Sequence, residues 1–351
     1  MYKINEMAQR QRMSVIFIAL GCICVGLVVG FMMGSNSVQS FFLRSGYIKG
    51  DLSVPDQQLA SSKYSAASVI TNVPVIVNSQ TRLVRVFNSE QESEQLKSFA
   101  NQATCTPLRV SSTITPQICV YDGKTDHFIS ASILSSGTWE GEHMSMLHRI
   151  LGANKGMELF DIGSNIGVFT VLAAKVGHRV VAVDPLKKNL MLLSRSLRTG
   201  GLTENTTLLW NAVGDKVVNI TLHEYVGNVG GTYVKPDDGK ANVDELHRAL
   251  AVTLDHLIPF SSKRPIFMKM DIETYEWNAL KSGEEFFNQM DVRYVLLEWN
   301  AHRKNVESQN NIISFMSRHN MLPHRSDNPD SRLQYTENAS WPGDIFWIKK
   351  M

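Results

Sequence analysis

A short glycine-containing turn between an apolar strand and a helix constrains this chain more than any other feature. Residues 157–167 read as a buried strand, a turn of small residues and the start of a helix. A second apolar run over residues 179–183 ends in the carboxylate of Asp184, at about the 20-residue spacing of nucleotide-binding βαβ units. In such units the turn lets a ligand approach the backbone, and the acid accepts hydrogen bonds from ribose hydroxyls. The pattern therefore predicts an adenosine-binding site.

The residues of the turn favour S-adenosylmethionine over a dinucleotide. A pyrophosphate needs the glycines of G-x-G-x-x-G so that it can rest on bare backbone at the helix N-terminus. Here Asn165 occupies the middle glycine position, and Gly167 is followed by Val168. S-adenosylmethionine carries no phosphate, and its amino-acid tail needs polar and backbone partners. The alternative is an ordinary strand–turn–helix in which Asp161 and Asp184 cap helices.

Strand-like runs alternate with helical patterns along most of the chain. This alternation predicts an α/β fold with a Rossmann-like, doubly wound and mostly parallel sheet. The predicted strands are residues 117–121, 157–161, 179–184, 206–213, 265–271 and 292–298, with an inserted hairpin within 216–234 and a final antiparallel strand within 341–349. The predicted helices are residues 142–151, 167–176, 186–197, 275–281 and 305–319.

Carboxylates stand at the carboxyl ends of the predicted strands, where open parallel sheets bind their ligands. They are Asp161, Asp184, Asp271 and Glu298, with Glu273 just beyond Asp271. Methyl transfer to a hydroxyl requires removal of the hydroxyl proton, and a carboxylate with a raised pKa can act as the base. Asp271 is the main candidate for this catalytic role, and Glu273 and Glu298 are the alternatives.

Other roles for these acids remain open. Asp271, Glu273 and Glu298 offer the hard oxygen ligands that suit Mg, Ca or Mn, but no ligand spacing demands an ion, and no metal is assigned. Each acid taken singly is also compatible with helix capping or turn stabilisation. Lys269 alternates with Asp271 along its strand and so shares its face, where it neutralises part of the charge.

An uncharged apolar segment near the N-terminus predicts a membrane anchor. Residues 14–34 carry no charged side chain and match the roughly 20 residues of a bilayer-spanning helix. Lys3, Arg10 and Arg12 precede this segment, so the positive-inside rule leaves residues 1–13 as a cytosolic tail. We therefore expect a single-pass type II membrane protein, and a cleaved signal peptide is the alternative.

Glycines within the anchor and the composition after it suggest how the rest of the chain is arranged. Gly26, Gly30 and Gly34 are spaced as in helix-pairing faces, which predicts a homodimer through this helix, although glycine is common in membrane helices. Residues 35–116 are rich in Ser, Gln and Asn and are expected to form a stem. The catalytic domain is then predicted to span residues 117–351.

Glycosylation sequons and cysteines indicate that this domain faces a secretory lumen. Asn205, Asn219 and Asn338 each begin an N-x-[ST] triplet. Cys105 and Cys119 lie in a polar region where an oxidising compartment would let them bridge, and two free buried thiols are the alternative. These features predict the endoplasmic reticulum or the Golgi.

The overall composition excludes one class of partner. The chain has 351 residues, a formal net charge of +2 and 43% hydrophobic residues, enough for one good core and additional segments. No basic stripe with interleaved aromatic residues is present in the sequence, so no nucleic-acid partner is expected.

The assembled motifs resemble the FkbM family of S-adenosylmethionine-dependent methyltransferases over roughly residues 139–298, and the resemblance is expected to continue to the C-terminus. It rests on residues 161–167, 183–185 and 211–214, and on Lys269-Met-Asp-Ile-Glu273 with Glu276, the most distinctive block. The resemblance implies an O-methyltransferase that acts on hydroxyls of sugars or natural products. It also implies these roles: Asp161, Gly163, Asn165 and Gly167 shape the cofactor turn, Asp184 binds the ribose, and Asn211 and Ala212 flank the adenine.

The chain departs from the family pattern at three positions. Ser164, Asp184 and Thr274 stand where the family usually has Ala, Glu and Gly. The third change alters the turn after the fourth parallel strand, beside the expected substrate pocket. The leading hypothesis is thus an O-methyltransferase for a glycan or another small hydroxyl acceptor. The alternatives are a catalytically silent binding or scaffold protein with the same fold, and a nucleotide-dependent oxidoreductase, against which Asn165 argues.

Overall fold

The computed structural model describes residues 83–237, 239 and 244–350. The predicted cytosolic tail, the predicted anchor over residues 14–34 and the first part of the predicted stem lie outside these residues. Within the described part of the chain, no helix combines the length and the apolar character needed to cross a bilayer.

Thirteen strands occur among the described residues. In chain order they are β1 (Thr104–Pro107), β2 (Gln117–Val120), β3 (Glu158–Ile162), β4 (Arg179–Val183), β5 (Thr206–Leu209), β6 (Ala212–Val213), β7 (Val218–Tyr225), β8 (Asn228–Pro236), β9 (Arg248–Val252), β10 (Ile266–Met270), β11 (Val292–Glu298), β12 (Met321–Arg325) and β13 (Asp344–Lys349). Seven of them form a sheet in the order β12-β13-β11-β10-β3-β4-β5.

The main sheet is mixed, as the sequence predicted. Strands β11, β10, β3, β4 and β5 pair in parallel. The last strand, β13, runs antiparallel to both β11 and β12. The chain winds outward from β3 in one direction through β4 to β5, and in the other through β10 to β11. This confirms the predicted Rossmann-like doubly wound arrangement.

Helices cover both faces of this sheet. In chain order they are α1 (Glu94–Gln102), α2 (Ile129–Ser136), α3 (Gly141–Ala153), α4 (Val168–Lys175), α5 (Lys187–Gly200), α6 (Glu276–Leu280), α7 (Glu284–Gln289) and α8 (Val306–Arg318). Strand residues alternate between two cores: Val180 and Ala182 pack with α3, α4 and α5, whereas Val181 and Val183 pack with α6, α7 and α8. All five residues of β3 are buried, so the turn that follows it starts from a rigid central strand.

A second sheet lies beyond β5, in the order β6-β9-β7-β8. The hairpin predicted within residues 216–234 is confirmed as β7 and β8, which pair antiparallel. The single strand predicted over residues 206–213 is wrong, because the chain leaves the main sheet at Trp210 and Asn211 and continues as β6. Trp210 Nε1 donates to the backbone oxygen of Pro185 at 2.9 Å, which holds the break close to the end of β4.

The ordered domain begins before residue 117, which corrects the predicted end of the stem at residue 116. Backbone hydrogen bonds join Arg85 and Phe87 to Trp210 and Leu208, so the chain here runs along β5. Helix α1 follows, and its Leu96 and Ala100 are buried in the main core. Polar composition predicted a stem, but the few apolar residues of this segment are buried in the core.

The structure joins Cys105 to Cys119 by a disulfide, which the sequence left open. The two residues are direct partners across the antiparallel pair β1–β2. Cys119 is fully buried, and its backbone N–H donates to Ser196 Oγ on α5 at 2.7 Å. The bridge therefore ties the segment before residue 117 to the core of the domain.

Candidate functional site

Three left-handed residues shape the turn between β3 and α4. The φ angles are +79° at Gly163, +50° at Asn165 and +89° at Gly167. A Cβ at Gly163 would overlap the backbone oxygen of Asp271, and a Cβ at Gly167 would overlap the side chain of Leu193. Glycine is needed at both positions because it tolerates a positive φ and because a Cβ would meet neighbouring atoms. The turn thus brings β3, the end of β10 and α5 into close contact.

Asp184 stabilises this turn from the end of β4. The backbone N–H of Asn165 donates to its Oδ2 at 2.8 Å. Leu186 N–H and Asn189 Nδ2 donate to Oδ1 at 2.8 and 3.1 Å. A carboxylate has about four acceptor positions, so about one remains for a ligand. Burial raises the pKa of Asp184 to about 6, even though these hydrogen bonds favour the ionised form.

A cavity of about 470 Å³ opens at the carboxyl ends of the parallel strands. Ligand pockets usually enclose about 300–1,000 Å³, so the cavity is large enough for a small ligand. Asp161 and Gly167 are not among its lining residues. The other predicted site residues do line it: Gly163, Asn165, Asp184, Asn211, Ala212, Asp271, Glu273 and Glu298.

Asp161 lies inside the protein, in the strand that leads into the turn. It is fully buried, and Thr170 Oγ1 on α4 donates to its Oδ2 at 2.6 Å. Its neighbour across the strands is Lys269, whose Nζ donates to the backbone oxygen of Gly163 at 3.0 Å. Burial raises the pKa of Asp161, and the charge of Lys269 opposes that shift. Asp161 is therefore held inside the protein and does not line the cavity.

The side chain of Asn211 is occupied by the protein itself. Its Oδ1 accepts from Arg85 N–H at 2.8 Å, and its Nδ2 donates to the backbone oxygens of Leu83 and Leu250 at 3.2 and 3.0 Å. Asn211 thus ties the first described residues to β9. Asn211 lines the cavity beside Ala212, but its side-chain amide is already bonded to these three backbone groups.

The predicted catalytic carboxylates lie together at the ends of β10 and β11. Asp271 Oδ2 lies 3.3 Å from Lys269 Nζ. Burial, with the negative charges of Asp271 and Glu276, raises the pKa of Glu273 to about 7. Burial and the same neighbours raise the pKa of Glu298 to about 9. Glu298 is therefore protonated at neutral pH, and Glu273 changes its charge there.

This cluster predicts that the protein loses stability as the pH rises. Glu273 and Glu298 retain protons in the folded protein that the unfolded chain releases above the ordinary value of 4.5. The unfolded state therefore binds fewer protons between pH 4.5 and about 9, and stability falls through that window. Thermal unfolding should show a melting temperature lower by about 5 °C or more at pH 9 than at pH 6.

Two variants check the source of this pH dependence. Glu298→Gln should reduce the loss of melting temperature between pH 7 and 9, because it removes the carboxyl whose pKa is raised the most. Glu204→Gln, at an exposed position, should leave the decrease unchanged. Equal pH slopes in the wild type and Glu298→Gln would show that this cluster does not cause the dependence.

Below the cluster, Glu276 is fully buried, and each of its carboxylate oxygens has a partner. Ile272 N–H donates to its Oε1 at 2.9 Å, and His302 Nε2 lies 2.8 Å from its Oε2. The carboxylate oxygens of Asp271, Glu276 and Glu298 lie within 4.8 Å of one another, a spacing that a cation needs. Glu276 does not line the cavity, and no metal is assigned to this cluster. His302 contacts Glu276 and Ser308 and does not line the cavity.

Sequence reasoning missed the wall of the cavity that comes from outside the parallel strands. Trp139 and Glu140 line it from the turn before α3, Phe128 from the turn before α2, and Gly230 from β8. Glu140 has a left-handed φ of +47°. The resemblance begins near Trp139, but hydrophobic periodicity does not mark these loop residues. Trp299, which follows β11, is fully buried in the core.

Part of the chain matches a known protein family. Residues 161–322 match the family described as methyltransferase FkbM domain. The match includes the turn, Asp184 and the acidic cluster. A search of curated proteins finds no match.

Solved structures with a similar course of the chain have low sequence identity. Methyltransferase FkbM from Methylobacillus flagellatus is 18% identical, with a TM-score of 0.35 over 54% of this chain and 43% of that one. An S-adenosylmethionine-dependent O-methyltransferase from Thermotoga maritima is 12% identical, with a TM-score of 0.32 over 70% and 78%. The 16S rRNA methyltransferase RsmC from T. thermophilus, in complex with AdoMet and guanosine, is 10% identical, with a TM-score of 0.36 over 71% and 50%.

The family match, and not these distant likenesses, identifies the domain. The chain spans less than half the length of the Methylobacillus flagellatus protein. The matched residues include the glycine turn, the acid at the end of β4 and the carboxylates after β10. Residues 161–322 therefore form a methyltransferase FkbM domain, as the sequence motifs predicted.

Proposed function

We propose that this chain is an S-adenosylmethionine-dependent O-methyltransferase that acts on a hydroxyl of a glycan or another small acceptor. The observation that carries the proposal is Asp184, which lines the cavity at the end of β4 with about one acceptor position free. That position suits one ribose hydroxyl. Gly163 and Asn165 line the same cavity, so the cofactor would lie against their turn.

The carboxylates after β10 provide the proton acceptor that O-methylation needs. When bound, S-adenosylmethionine supplies an electrophilic methyl group to the acceptor oxygen. Glu273 lines the cavity and has a pKa of about 7, close to the value that suits a general base at neutral pH. Asp271 is paired with Lys269 and is the second candidate. Glu298, with a pKa of about 9, is protonated and so can donate a hydrogen bond to the acceptor.

The secretory pathway is the proposed location. The anchor predicted over residues 14–34 would hold the domain in the lumen of the Golgi or endoplasmic reticulum, and its glycine spacing supports a homodimer. Asn205 and Asn219, two of the three sequon residues, are exposed on the domain. A luminal domain would carry N-glycans there, so peptide-N-glycosidase should increase the electrophoretic mobility of the full-length protein from cells. No change in mobility would argue against this location.

A methyl-transfer assay tests the activity. The purified full-length protein in detergent should transfer labelled methyl from S-adenosylmethionine to a hydroxyl in a panel of free sugars and glycolipids. Glu273→Gln should reduce the initial rate at pH 7.5 by about 100-fold, since general base catalysis contributes about 10²–10⁴. Its affinity for S-adenosylhomocysteine should remain that of the wild type, because the proposal assigns Glu273 to the acceptor proton and not to the cofactor.

Two outcomes would contradict the proposal. Calorimetry that detects no affinity of the wild type for S-adenosylhomocysteine would favour the catalytically silent binding or scaffold protein. Transfer to a nitrogen, found by mass spectrometry of the product, would retain the methyltransferase and exclude O-methylation.

A further inference from the structure

Glu140 is held in an unusual conformation at the wall of the cavity. Its φ of +47° is uncommon for a residue other than glycine, and such residues concentrate at functional sites. Trp139 Nε1 donates to its Oε1 at 3.1 Å, and His143 Nδ1 lies 3.2 Å from its Oε2. The carboxylate is therefore fixed in position by the two residues that flank the start of α3.

Glu140 also remains charged. Burial would raise the pKa of its carboxyl, but the hydrogen bond with His143 and the positive charge of Lys269 hold that pKa below its ordinary value. The other acids of the cavity either hold a proton more readily or are already paired with a cation. Glu298 and Glu273 have raised pKa values, and Asp271 is paired with Lys269. Glu140 is thus well suited to bind a cation in this part of the cavity.

Lys269 provides the opposite charge in the same cavity. Its ammonium group donates to the backbone oxygen of Gly163 at 3.0 Å and lies 3.3 Å from Asp271 Oδ2. An ammonium group has three N–H donors, and these two contacts use two of them. Lys269 lines the cavity, so its third donor is available to an anionic group there.

Lys269 lies two strands away from the predicted ribose acid, Asp184. Lys269 is on β10 and Asp184 follows β4, with β3 between them. Two strand spacings separate these positions, about 10 Å. A ligand whose ribose contacts Asp184 would extend across the turn after β3 toward Lys269 and Glu140. The amino-acid tail of S-adenosylmethionine carries one ammonium and one carboxylate, which match these two side chains in charge.

We propose that Glu140 and Lys269 form the subsite for the zwitterionic amino-acid tail of the cofactor, with Glu140 binding the ammonium and Lys269 the carboxylate. This inference rests on the proposed function and adds residue-level recognition of the tail. Glu140 lies outside the matched family region, at the start of α3, so the subsite combines two separate parts of the chain.

Two ligands that differ only in the tail test the inference. Calorimetry of the purified full-length protein should compare S-adenosylhomocysteine with 5′-methylthioadenosine, which lacks the amino acid. Glu140→Gln should weaken the first by about 10- to 100-fold, the usual effect of losing a charge-assisted hydrogen bond. Its affinity for 5′-methylthioadenosine should remain that of the wild type, which also shows that the variant is folded.

Glu142→Gln is the matched control, because Glu142 lies two residues away on α3 and is exposed. It should bind both ligands as the wild type does. Equal affinity for S-adenosylhomocysteine in Glu140→Gln and the wild type would overturn the inference, as would equal losses for both ligands. A wild type that binds neither ligand would refute the proposed function, and the tail subsite with it.

Discussion

Asp184→Asn is expected to weaken binding of S-adenosylhomocysteine by about 100-fold. The substitution removes the negative charge that would strengthen the hydrogen bond from a ribose hydroxyl to this side chain. It also places an amide donor against the N–H groups of Asn165 or Leu186, which now donate to the carboxylate at 2.8 Å each. The turn and the ligand contact are thus lost together, and calorimetry at pH 7.5 measures their combined effect.

The charge of Asp184 gives this prediction a second readout. Because burial raises its pKa to about 6, the wild type should bind S-adenosylhomocysteine progressively more weakly as the pH falls below about 6. The residual binding of Asp184→Asn should lose this dependence. Asp122→Asn is the control, since Asp122 caps the Lys124 N–H on an exposed turn. Wild-type affinity in Asp184→Asn would remove the main support for the proposed function.

Gly163→Ala is expected to destabilise the domain by about 3 kcal/mol and to abolish measurable cofactor binding. A left-handed φ costs an ordinary residue about 1–2 kcal/mol, and forcing an atom into filled space costs about 1–3 kcal/mol. Here the new methyl group would overlap the backbone oxygen of Asp271, which a change of rotamer cannot move. Denaturant unfolding measures the first effect, and calorimetry with S-adenosylhomocysteine measures the second.

Gly201→Ala separates the cost of the left-handed backbone from the cost of the steric overlap. Gly201 ends α5 with a φ of +64° and has open space where a Cβ would lie. Its replacement should therefore show only the conformational cost, about 1 kcal/mol, with wild-type cofactor affinity. Similar losses of stability in the two variants would show that the contact between the β3 turn and Asp271 is not tight.

The part of the site built on regular strands could be predicted from the sequence. Parallel strands place their carboxyl ends at one edge of the sheet, so the acids after β4, β10 and β11 could be brought together from their order alone. The glycine turn was recognisable because few residues tolerate its backbone. The structure confirms that Asp184, Asp271, Glu273 and Glu298 line one cavity.

The remaining parts depended on long-range contacts that local patterns do not encode. The strand predicted through residue 213 breaks at Asn211, because its side chain satisfies backbone groups of Leu83, Arg85 and Leu250, which are distant in sequence. Glu140 belongs to a loop whose place above the sheet is set by the packing of α3. A polar composition likewise concealed the ordered residues before position 117, since only their few apolar side chains contribute to the core.

The segment that runs beside β5 has a consequence for the solubility of the domain. A sheet that ends in an open strand offers unpaired N–H and C=O groups, which invite pairing with another molecule. Backbone hydrogen bonds from Phe87 to Leu208 and from Trp210 to Arg85 occupy such groups along β5. The same residues that lead from the N-terminal part of the chain into the domain thus shield this border against intermolecular β-pairing and aggregation.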